Sequence, residues 1–423
     1  MESTPNMINV LVFPCGSEIA IEIYNCLHQQ KNIQLFGASS VSDNGRFVFE
    51  NYIGDIPYVA DPLFIPTISA VVEKYNIDYI YPAMDVAITA LKNSQDQLGC
   101  HVLSSPKDTV NIVSRKSTTY NYFENIIRVP KIITGPVTEF PVFSKPDIGA
   151  SSRNTLLVDS DLALQYARSK YPDNLLLEYL PGPEYTVDCF NDSHGTLKFV
   201  SARQRSRIMN GISVGTELVK DPEIDTIADL ISNNLLLTGP WFFQLKKDRD
   251  DKYCLLEIAD RFGGSSVLNR LHGVNFALLN IYKEYGNVSV LTNDYAIEIG
   301  RGLDIKVKTN LDYQTVYIDF DDTVVVNNQV NTQCLEFLYR CVNKQCKIVL
   351  LTKHRGDIYQ TLSHYKINHL LFDEIIQIDP MDHKYKYIQD FRSIFIDDSF
   401  SERQAVHTKC KIPVIGIENI KFI

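Results

Sequence analysis

FFQLKKDRDDKYCLLEIADRFGGSSVLNR, residues 242 to 270, predicts a strand, a polar turn, a second strand and then a loop that opens a helix. In such a hairpin Gln244 and Glu257 face one another and offer oxygens to a hard cation such as Mg²⁺. A carboxylate in an apolar strand is costly unless it is paired or binds a metal, so Glu257 is a candidate metal ligand. The alternative is a hairpin with one carboxylate at a solvent-exposed edge.

Composition excludes several classes of protein. A length of 423 residues is typical of about two to four domains. The net charge of -10, without a long basic run, does not indicate a nucleic-acid surface. Nine scattered cysteines without a C-x-x-C pair argue against zinc and disulfides and fit a reducing, cytoplasmic location. We expect no signal peptide, and no apolar run approaches the ~20 residues of a membrane helix.

The first quarter of the chain alternates strands with helices. Short apolar strands at 9–13, 34–38 and 78–82 are separated by segments with helical periodicity. Such alternation predicts a parallel sheet, and sheets of this kind bind ligands at the carboxyl ends of their strands. We therefore expect residues 1–105 to form an α/β domain that contacts a substrate.

Two lysines in the next segment are candidate phosphate ligands. Lys116 follows the onset of helical character at Asp108, and on its own would be a solvated helix lysine. Lys145 ends a strand and precedes a loop that contains Ser151 and Ser152. A lysine next to loop N–H groups and hydroxyls is suited to polyphosphate. The loop does not match the Walker pattern, so a P-loop ATPase is not expected.

LLLEYLPGPEYTVD, residues 175 to 188, predicts two strands joined by a turn. Backbone groups at Tyr179 and Leu180 are placed to hydrogen-bond a purine, and Glu184 to bind ribose hydroxyls. The alternative is a simple connection between strands with an exposed glutamate.

In this order the motifs resemble those of the ATP-grasp ligases, close to the carbamoyl-phosphate-synthase-like branch. The resemblance spans about residues 8 to 305 and rests on several ordered motifs. It implies an ATP-grasp domain at 106–310, MgATP as cofactor and a catalytic role for Arg261. It further implies that Lys116 and Lys145 contact the phosphates. Adenine and ribose would be bound by Glu178, Leu180 and Glu184. Mg²⁺ would be bound by Gln244 and Glu257.

The last motif departs from the family pattern. Where such ligases have E-x-N-P-R, this chain has Glu257-Ile258-Ala259-Asp260-Arg261. Ala259 cannot bind a metal. Either Asp260 replaces the missing oxygen, or one metal is held differently.

SARQRSRIMNGISVG, residues 201 to 215, is the expected acceptor-substrate element. Arg203, Arg205 and Arg207 alternate, which predicts that they share one face of a strand and bind a carboxylate or phosphate. The alternative is a solvated basic edge strand. Residues 211–215 are a candidate loop over the substrate.

The C-terminal region carries a second set of acidic strand ends. VYIDFDDT, residues 316 to 323, ends an apolar strand with two carboxylates that point the same way. Further strands end at Thr352 and at Asp397-Asp398, and Lys384 lies between them. Like charges this close are destabilising unless they share a cation or a proton.

This order resembles the haloacid-dehalogenase-like (HAD) phosphatases over about residues 312 to 423. The resemblance implies Asp319 as nucleophile, Asp321 as general acid/base, and Thr352 and Lys384 as ligands of the phosphoryl group, with Lys386 as the alternative lysine. It implies a Mg²⁺ site, formed by Asp319, the Asp321 carbonyl, Asp397 and Asp398. The short spacings predict a Rossmann-like domain, 311–423, without a cap. A receiver-like domain would leave D-x-D-x-T unexplained.

The chain is thus predicted to be an α/β bifunctional enzyme. Its ATP-grasp part would join a small-molecule carboxylate to an amine, and its HAD part would hydrolyse a phosphate ester. Nucleic-acid and membrane partners are not expected, and a homodimer is possible. The alternatives are a nucleotide-sensing ATP-grasp module that regulates the phosphatase, and an inactive scaffold.

Overall fold

The computed structural model describes residues 7–149, 154–209, 212–286, 288–295, 297–301 and 305–423. Within its strands, the side chains at 205–209, 212–217, 298, 300, 301, 305, 306 and 308 are outside the description. All nine cysteines are free thiols, as their scattered spacing predicts. Within the described ranges, every helix is too short or too polar to cross a membrane.

The N-terminal unit, residues 8–102, is a five-stranded parallel sheet in the order β3-β2-β1-β4-β5. The predicted alternation of strands and helices is present, and the apolar strand residues 10–13 are buried. Its elements are β1 (Ile8–Phe13), α1 (Glu18–Leu27), β2 (Ile33–Ala38), α2 (Gly45–Val48), β3 (Asn51–Ile53), α3 (Phe64–Tyr75), β4 (Tyr79–Pro82), α4 (Asp85–Asn93) and β5 (His101–Val102).

The central unit, residues 107–309, contains a seven-stranded sheet, β13-β12-β9-β10-β11-β14-β15, and a three-stranded sheet, β7-β6-β8. The helical segment expected from Asp108 is two helices, interrupted at Ser114-Arg115. The elements are α5 (Lys107–Val113), α6 (Lys116–Phe123), β6 (Val142–Pro146), β7 (Leu156–Val158), α7 (Asp161–Lys170), β8 (Asn174–Glu178), β9 (Glu184–Asn191), β10 (Leu197–Met209), β11 (Ile212–Val219), α8 (Pro222–Asn234), β12 (Gly239–Lys247), β13 (Tyr253–Ala259), α9 (Val267–Leu271), α10 (Phe276–Tyr282), β14 (Ile297–Arg301) and β15 (Ile305–Thr309).

The C-terminal unit, residues 315–423, is a five-stranded parallel sheet in the order β20-β19-β16-β21-β22. The sequence analysis missed a small hairpin, β17–β18, directly after the acidic end of β16. The elements are β16 (Thr315–Ile318), β17 (Val325–Val326), β18 (Gln329–Val330), α11 (Thr332–Asn343), β19 (Lys347–Thr352), α12 (Ile358–His364), β20 (Glu374–Gln377), β21 (Ser393–Ile396), α13 (Phe400–Cys410) and β22 (Val414–Ile415).

Arg270, at the end of α9, joins all three units. Its guanidinium donates Nε to Glu22 Oε1 at 2.6 Å and Nη2 to Glu22 Oε2 at 3.1 Å in the N-terminal unit. Nη1 donates to the Glu418 carbonyl at 3.0 Å and to Asn419 Oδ1 at 2.9 Å in the C-terminal unit. Asn419 Nδ2 donates back to the Arg270 carbonyl at 2.7 Å. The arginine is 1% exposed, so these partners replace its hydration.

Candidate functional site

A cavity of about 1390 Å³ is lined by residues of the N-terminal and central units. Most of the predicted nucleotide and substrate ligands line it, which brings together residues from α6, β6, β8, β9, β10, β12 and β13. The predicted ligands among its lining residues are Lys116, Lys145, Glu178, Tyr179, Leu180, Glu184, Arg203, Gln244, Glu257 and Arg261. Ser151 and Ser152 are outside the described residues.

The predicted pairing of Gln244 with Glu257 is present in the β12–β13 register. The register shifts between Gln244 and Leu245, so the two strands do not pair with uniform spacing beyond this point. Amide and carboxylate oxygens are therefore placed side by side on neighbouring strands at the cavity wall. These are hard donors of the kind that Mg²⁺ prefers.

Two lysines place positive charge near this pair. Lys116 Nζ lies 3.8 Å from Glu257 Oε2 and donates to the Gly149 carbonyl at 3.0 Å. Burial lowers the pKa of Lys145 from 10.5 to about 8; Glu257 opposes this shift, and the charge of Lys116 adds to it. Two ammonium groups in one cavity favour an anionic ligand, because a polyphosphate would relieve their repulsion.

At the expected adenine end, Glu178 is already held by protein groups. Arg128 donates Nη1 to Glu178 Oε1 at 2.7 Å and Nη2 to Oε2 at 2.8 Å. The Lys131 backbone N–H donates to Oε1 at 2.6 Å. Burial raises the pKa of Glu178, but these hydrogen bonds outweigh burial and lower it. A purine contact through this carboxylate would have to compete with Arg128, which the sequence analysis did not identify.

The structure does not support Asp260 as a substitute for the missing metal ligand. Asp260 is 6% exposed, and Ser105 occupies both of its oxygens. The Ser105 backbone N–H donates to Oδ2 at 2.8 Å, and its hydroxyl donates to Oδ1. Burial raises the pKa of Asp260 to about 7 despite these hydrogen bonds. Asp260 also lines the cavity, but each of its oxygens already accepts a hydrogen bond from Ser105.

Arg261 reaches across to the N-terminal unit. Its Nε donates to Asp85 Oδ1 at 2.7 Å and its Nη2 to Asp85 Oδ2 at 2.8 Å. The guanidinium carbon lies 5.2 Å from the centre of the Phe242 ring. This bidentate geometry holds Arg261 in one orientation at the cavity wall.

Of the three predicted arginines, the structure describes the side chain of Arg203. Arg203 is 2% exposed and donates Nε to Asp188 Oδ2 at 2.7 Å and Nη2 to Oδ1 at 3.2 Å. The β10–β11 register shifts between Arg205 and Arg207, which interrupts the alternation. The side chains of Arg205 and Arg207 lie outside the described residues. Gly263 packs against Arg203, where an added Cβ would lie 2.7 Å from Nη2.

The expected loop at 211–215 is also different. Ile212–Val219 forms strand β11, which pairs with both β10 and β14. Residues 210 and 211 are outside the described residues.

A second cluster lies at the carboxyl ends of β16 and β21. One carboxylate oxygen from each of Asp319, Asp397 and Asp398 lies within 4.8 Å of the others, a spacing that fits one cation. Lys384 Nζ lies 2.6 Å from Asp319 Oδ1 and 2.7 Å from Asp397 Oδ2. Lys386, the alternative lysine, pairs instead with Asp382 at 2.5 Å and is half exposed.

The crowded carboxyls of this cluster are hard to ionise together. Burial raises the pKa of Asp319 to about 6, against the opposing effect of Lys384. Burial and the charge of Asp319 raise the pKa of Asp397 to about 7. Burial and Asp397 raise the pKa of Asp398 to about 6. A bound divalent cation would remove this repulsion, so the donor set fits Mg²⁺.

The remaining predicted residues lie around the cluster. Thr352 is fully buried at the end of β19, and its hydroxyl accepts the His354 N–H at 3.1 Å. The carboxylate of Asp321 lies beside His354. Lys31 of the N-terminal unit forms an ion pair with Asp322, whose φ is 56°. The sequence analysis missed His354 and Lys31; the position of His354, two residues after the strand-end Thr352, was the available signal for the former.

The comparison with protein families finds a match within the central unit. The family described as "ATP-grasp in the biosynthetic pathway with Ter operon" matches residues 170–310. A search of curated proteins found no significant match.

Three solved structures illustrate the fold-level likeness. The biotin carboxylase domain of Hydrogenobacter thermophilus 2-oxoglutarate carboxylase, a dimer in complex with MgADP, ADP and bicarbonate, has a TM-score of 0.58 at 14% identity, covering 69% of this chain and 74% of that one. Campylobacter jejuni biotin carboxylase in its β-γ-ATP complex has a TM-score of 0.57 at 15% identity, covering 69% of this chain and 75% of that one. The Bacillus licheniformis L-amino acid ligase has a TM-score of 0.58 at 15% identity, covering 70% of this chain and 80% of that one.

The chain has a mixed α/β structure, and residues 170–310 match an ATP-grasp family.

Proposed function

We propose that the N-terminal and central units form an ATP-dependent ligase that joins a carboxylate to an amine. The observation that carries this proposal is the position of Lys116 and Lys145 opposite Gln244 and Glu257 around one cavity. The likeness to an L-amino acid ligase supports the choice of reaction, and the likeness to nucleotide-bound carboxylases supports ATP and Mg²⁺ as cofactors.

Each residue has a part in this reaction. Lys116 and Lys145 balance the phosphate charge, Gln244 and Glu257 hold Mg²⁺, and Arg261 lies at the wall where the acceptor enters. Mg²⁺, when bound, neutralises the phosphate oxygens. A carboxylate oxygen of the acid attacks the γ-phosphorus, and the bond to ADP breaks. The amine nitrogen then attacks the acyl carbon and loses a proton as inorganic phosphate leaves, which forms the amide.

The test is formation of ADP from MgATP with panels of acids and amines. We expect ADP that depends on both an acid and an amine, and its loss in Lys145→Met and Glu257→Gln. Lys170→Met is the matched control, since Lys170 is exposed at the end of α7. Activity that survives in Lys145→Met would overturn the proposed nucleotide site.

We propose that the C-terminal unit, residues 311–423, is a HAD-type phosphatase without a cap domain. The observation that carries this proposal is the convergence of Asp319, Asp397, Asp398 and Lys384 at the carboxyl edge of a parallel sheet. The β17–β18 hairpin begins at Val325, six residues after Asp319, and Val325 forms a backbone bridge with Asp321.

In this reaction an Asp319 oxygen attacks phosphorus while Asp321 gives a proton to the leaving ester oxygen. Water then attacks the aspartyl phosphate, Asp321 takes the proton, and Asp319 is regenerated with release of phosphate. Lys384 and Thr352 bind the phosphoryl oxygens, and Asp397, Asp398 and the Asp321 carbonyl complete the Mg²⁺ ligands. Mg²⁺, when bound, neutralises charge between Asp319 and the phosphate.

The test is Mg²⁺-dependent hydrolysis of p-nitrophenyl phosphate. We expect activity in the wild type, loss in Asp319→Asn and no change in Asp312→Asn. Asp312 is a matched control because its side chain is 71% exposed and pairs with Arg392 at the surface. The natural substrate of the phosphatase is, in this proposal, a phosphorylated compound that the ligase uses or produces. The assay uses the full chain.

A second candidate function is a nucleotide sensor that regulates the phosphatase. It is favoured by Ala259, which cannot bind a metal, and by the hydrogen bonds from Ser105 that both oxygens of Asp260 already accept. The sensor would be favoured over the ligase if the protein binds nucleotide but forms no ADP with any acid and amine tested, and if the bound nucleotide changes the phosphatase rate.

A further inference from the structure

The side chain of Asp321 is held by a histidine that the sequence pattern did not identify. His354 Nδ1 lies 3.0 Å from both Oδ1 and Oδ2 of Asp321. Asp321 is 51% exposed, so solvent alone would leave its carboxyl several orientations. The contact with His354 selects one of them.

The ring of His354 is itself held by contacts with Thr361 and Phe320. Its Nε2 lies 2.9 Å from Thr361 Oγ1 on α12. That hydroxyl donates to the Asp357 carbonyl at 3.0 Å, so it is free to accept from the ring. The ring lies edge-on to Phe320, with 5.4 Å between centroids.

The backbone of His354 is anchored as well. Its N–H donates to the hydroxyl of Thr352 at 3.1 Å, and its carbonyl accepts from Gln377 Nε2 at 2.8 Å. These contacts connect the imidazole to β19 and β20, so its position follows that of the sheet. A ring held in this way can orient a neighbouring side chain with little cost in entropy.

We propose that His354 is a positioning residue that holds the Asp321 carboxyl for proton transfer to the leaving oxygen. This inference rests on the proposed phosphatase function. His354 does not touch the nucleophile or the predicted metal ligands Asp397 and Asp398 in the described contacts. Its effect is therefore on the two proton transfers of Asp321, and only the first of them, to the leaving alcohol, differs from one ester to another.

The leaving group separates this role from a structural one. p-Nitrophenolate is a weak base and leaves without a proton. Phenolate has a similar shape but is a stronger base, so its departure depends more on protonation by a general acid. In His354→Ala we expect kcat/KM, which reports only the steps up to release of the alcohol, to fall about tenfold or more further for phenyl phosphate than for p-nitrophenyl phosphate, as part of the ~10²–10⁴-fold contribution of a general acid. KM for both esters should change by less than about threefold, because phosphate binding is untouched.

Two further variants complete the test. His354→Asn places an amide near the position of Nδ1 and should recover part of the lost phenyl phosphate rate. His369→Gln, an exposed histidine in the same unit, is the matched control and should behave as wild type.

The outcomes are distinct. Equal slowing of both esters in both His354 variants, or no slowing, overturns the inference while activity lost in Asp319→Asn still upholds the phosphatase. No hydrolysis of either ester by the wild-type chain overturns both. If His354→Ala fails to fold, the ratio of the two esters in His354→Asn decides.

Discussion

Asp85, at the start of α4, and Arg261, just after β13, form a bidentate ion pair between the N-terminal and central units, with N–O distances of 2.7 and 2.8 Å. The pair is separated by 176 residues in the chain. It fixes the arginine that the ATP-grasp resemblance singles out. The N-terminal unit therefore contributes to the site through a residue that never has to touch the nucleotide.

Replacement of Asp85 by alanine should weaken catalysis more than stability. Asp85 is 37% exposed, so loss of the pair should cost about 1–2 kcal/mol of unfolding free energy. The rate of ADP formation should fall about tenfold or more because Arg261 loses its orientation. Chemical denaturation and an ADP assay measure the two effects. Asp96→Ala, an exposed position, is the control, and equal rates in both variants would contradict the role of the pair.

Stability should depend on pH through Lys145. Its pKa is about 8 in the folded protein, against 10.5 for a lysine that is not buried, as in the unfolded chain. Between these values the unfolded chain binds more protons, so the unfolding free energy should rise with pH relative to Lys145→Met. The rise is at most about 3 kcal/mol, at about 1.4 kcal/mol per pKa unit.

Denaturation of both proteins at pH 8, 9 and 10 measures this difference. Bound MgATP should reduce it, since phosphate favours the charged lysine. The same slope in wild type and Lys145→Met would show that another group is responsible.

Lys31 should influence the phosphatase from outside the C-terminal unit. It pairs with Asp322, and the carboxylates of Asp398 and Asp321 also act on it. Its removal makes the entrance more negative, so Lys31→Ala should raise KM for p-nitrophenyl phosphate about two- to fivefold at low salt, and less at high salt. Steady-state kinetics at two salt concentrations check this. An identical rise in Lys170→Ala would refute a local effect.

Loss of Arg270 should destabilise the whole chain. Arg270→Met leaves the carboxylate of Glu22 buried without its partner, which costs about 3–5 kcal/mol. Thermal or chemical denaturation measures the loss. The double variant Arg270→Met with Glu22→Gln should lose less than the sum of the two single changes. Additive losses would mean that the two residues act independently.

Local sequence was sufficient for the strands and their polar ends. Gln244 and Glu257 pair because two apolar strands flank one polar turn, and Asp319 and Asp397 converge because parallel strands end at the same edge. Both follow from periodicity within about ten residues of each side chain. Residues 170–310, which lie within the ATP-grasp domain predicted at 106–310, match an ATP-grasp family.

Distant partners were beyond reach of such patterns. Asp85 has no local feature that marks it as the partner of Arg261, and Arg128 none that marks it for Glu178. Asp260 looked like a metal ligand because it follows Ala259 in the motif, but it lies just beyond β13, and its partner Ser105 is 155 residues away in the chain. Packing against Ser105 decided its role.

The segment Ile417–Phe422 has a practical consequence for anyone who wishes to study either chemistry alone. Asn419 and the carbonyl of Glu418 bind Arg270, and the Phe422 ring lies 5.4 Å from its guanidinium carbon. A gene split near residue 311 would leave one fragment with Arg270 paired only to Glu22 and exposed where Glu418 and Asn419 had bound it, and the other with a C-terminal segment that has lost its binding site. The two halves are better compared by inactivating one at a time in the intact polypeptide.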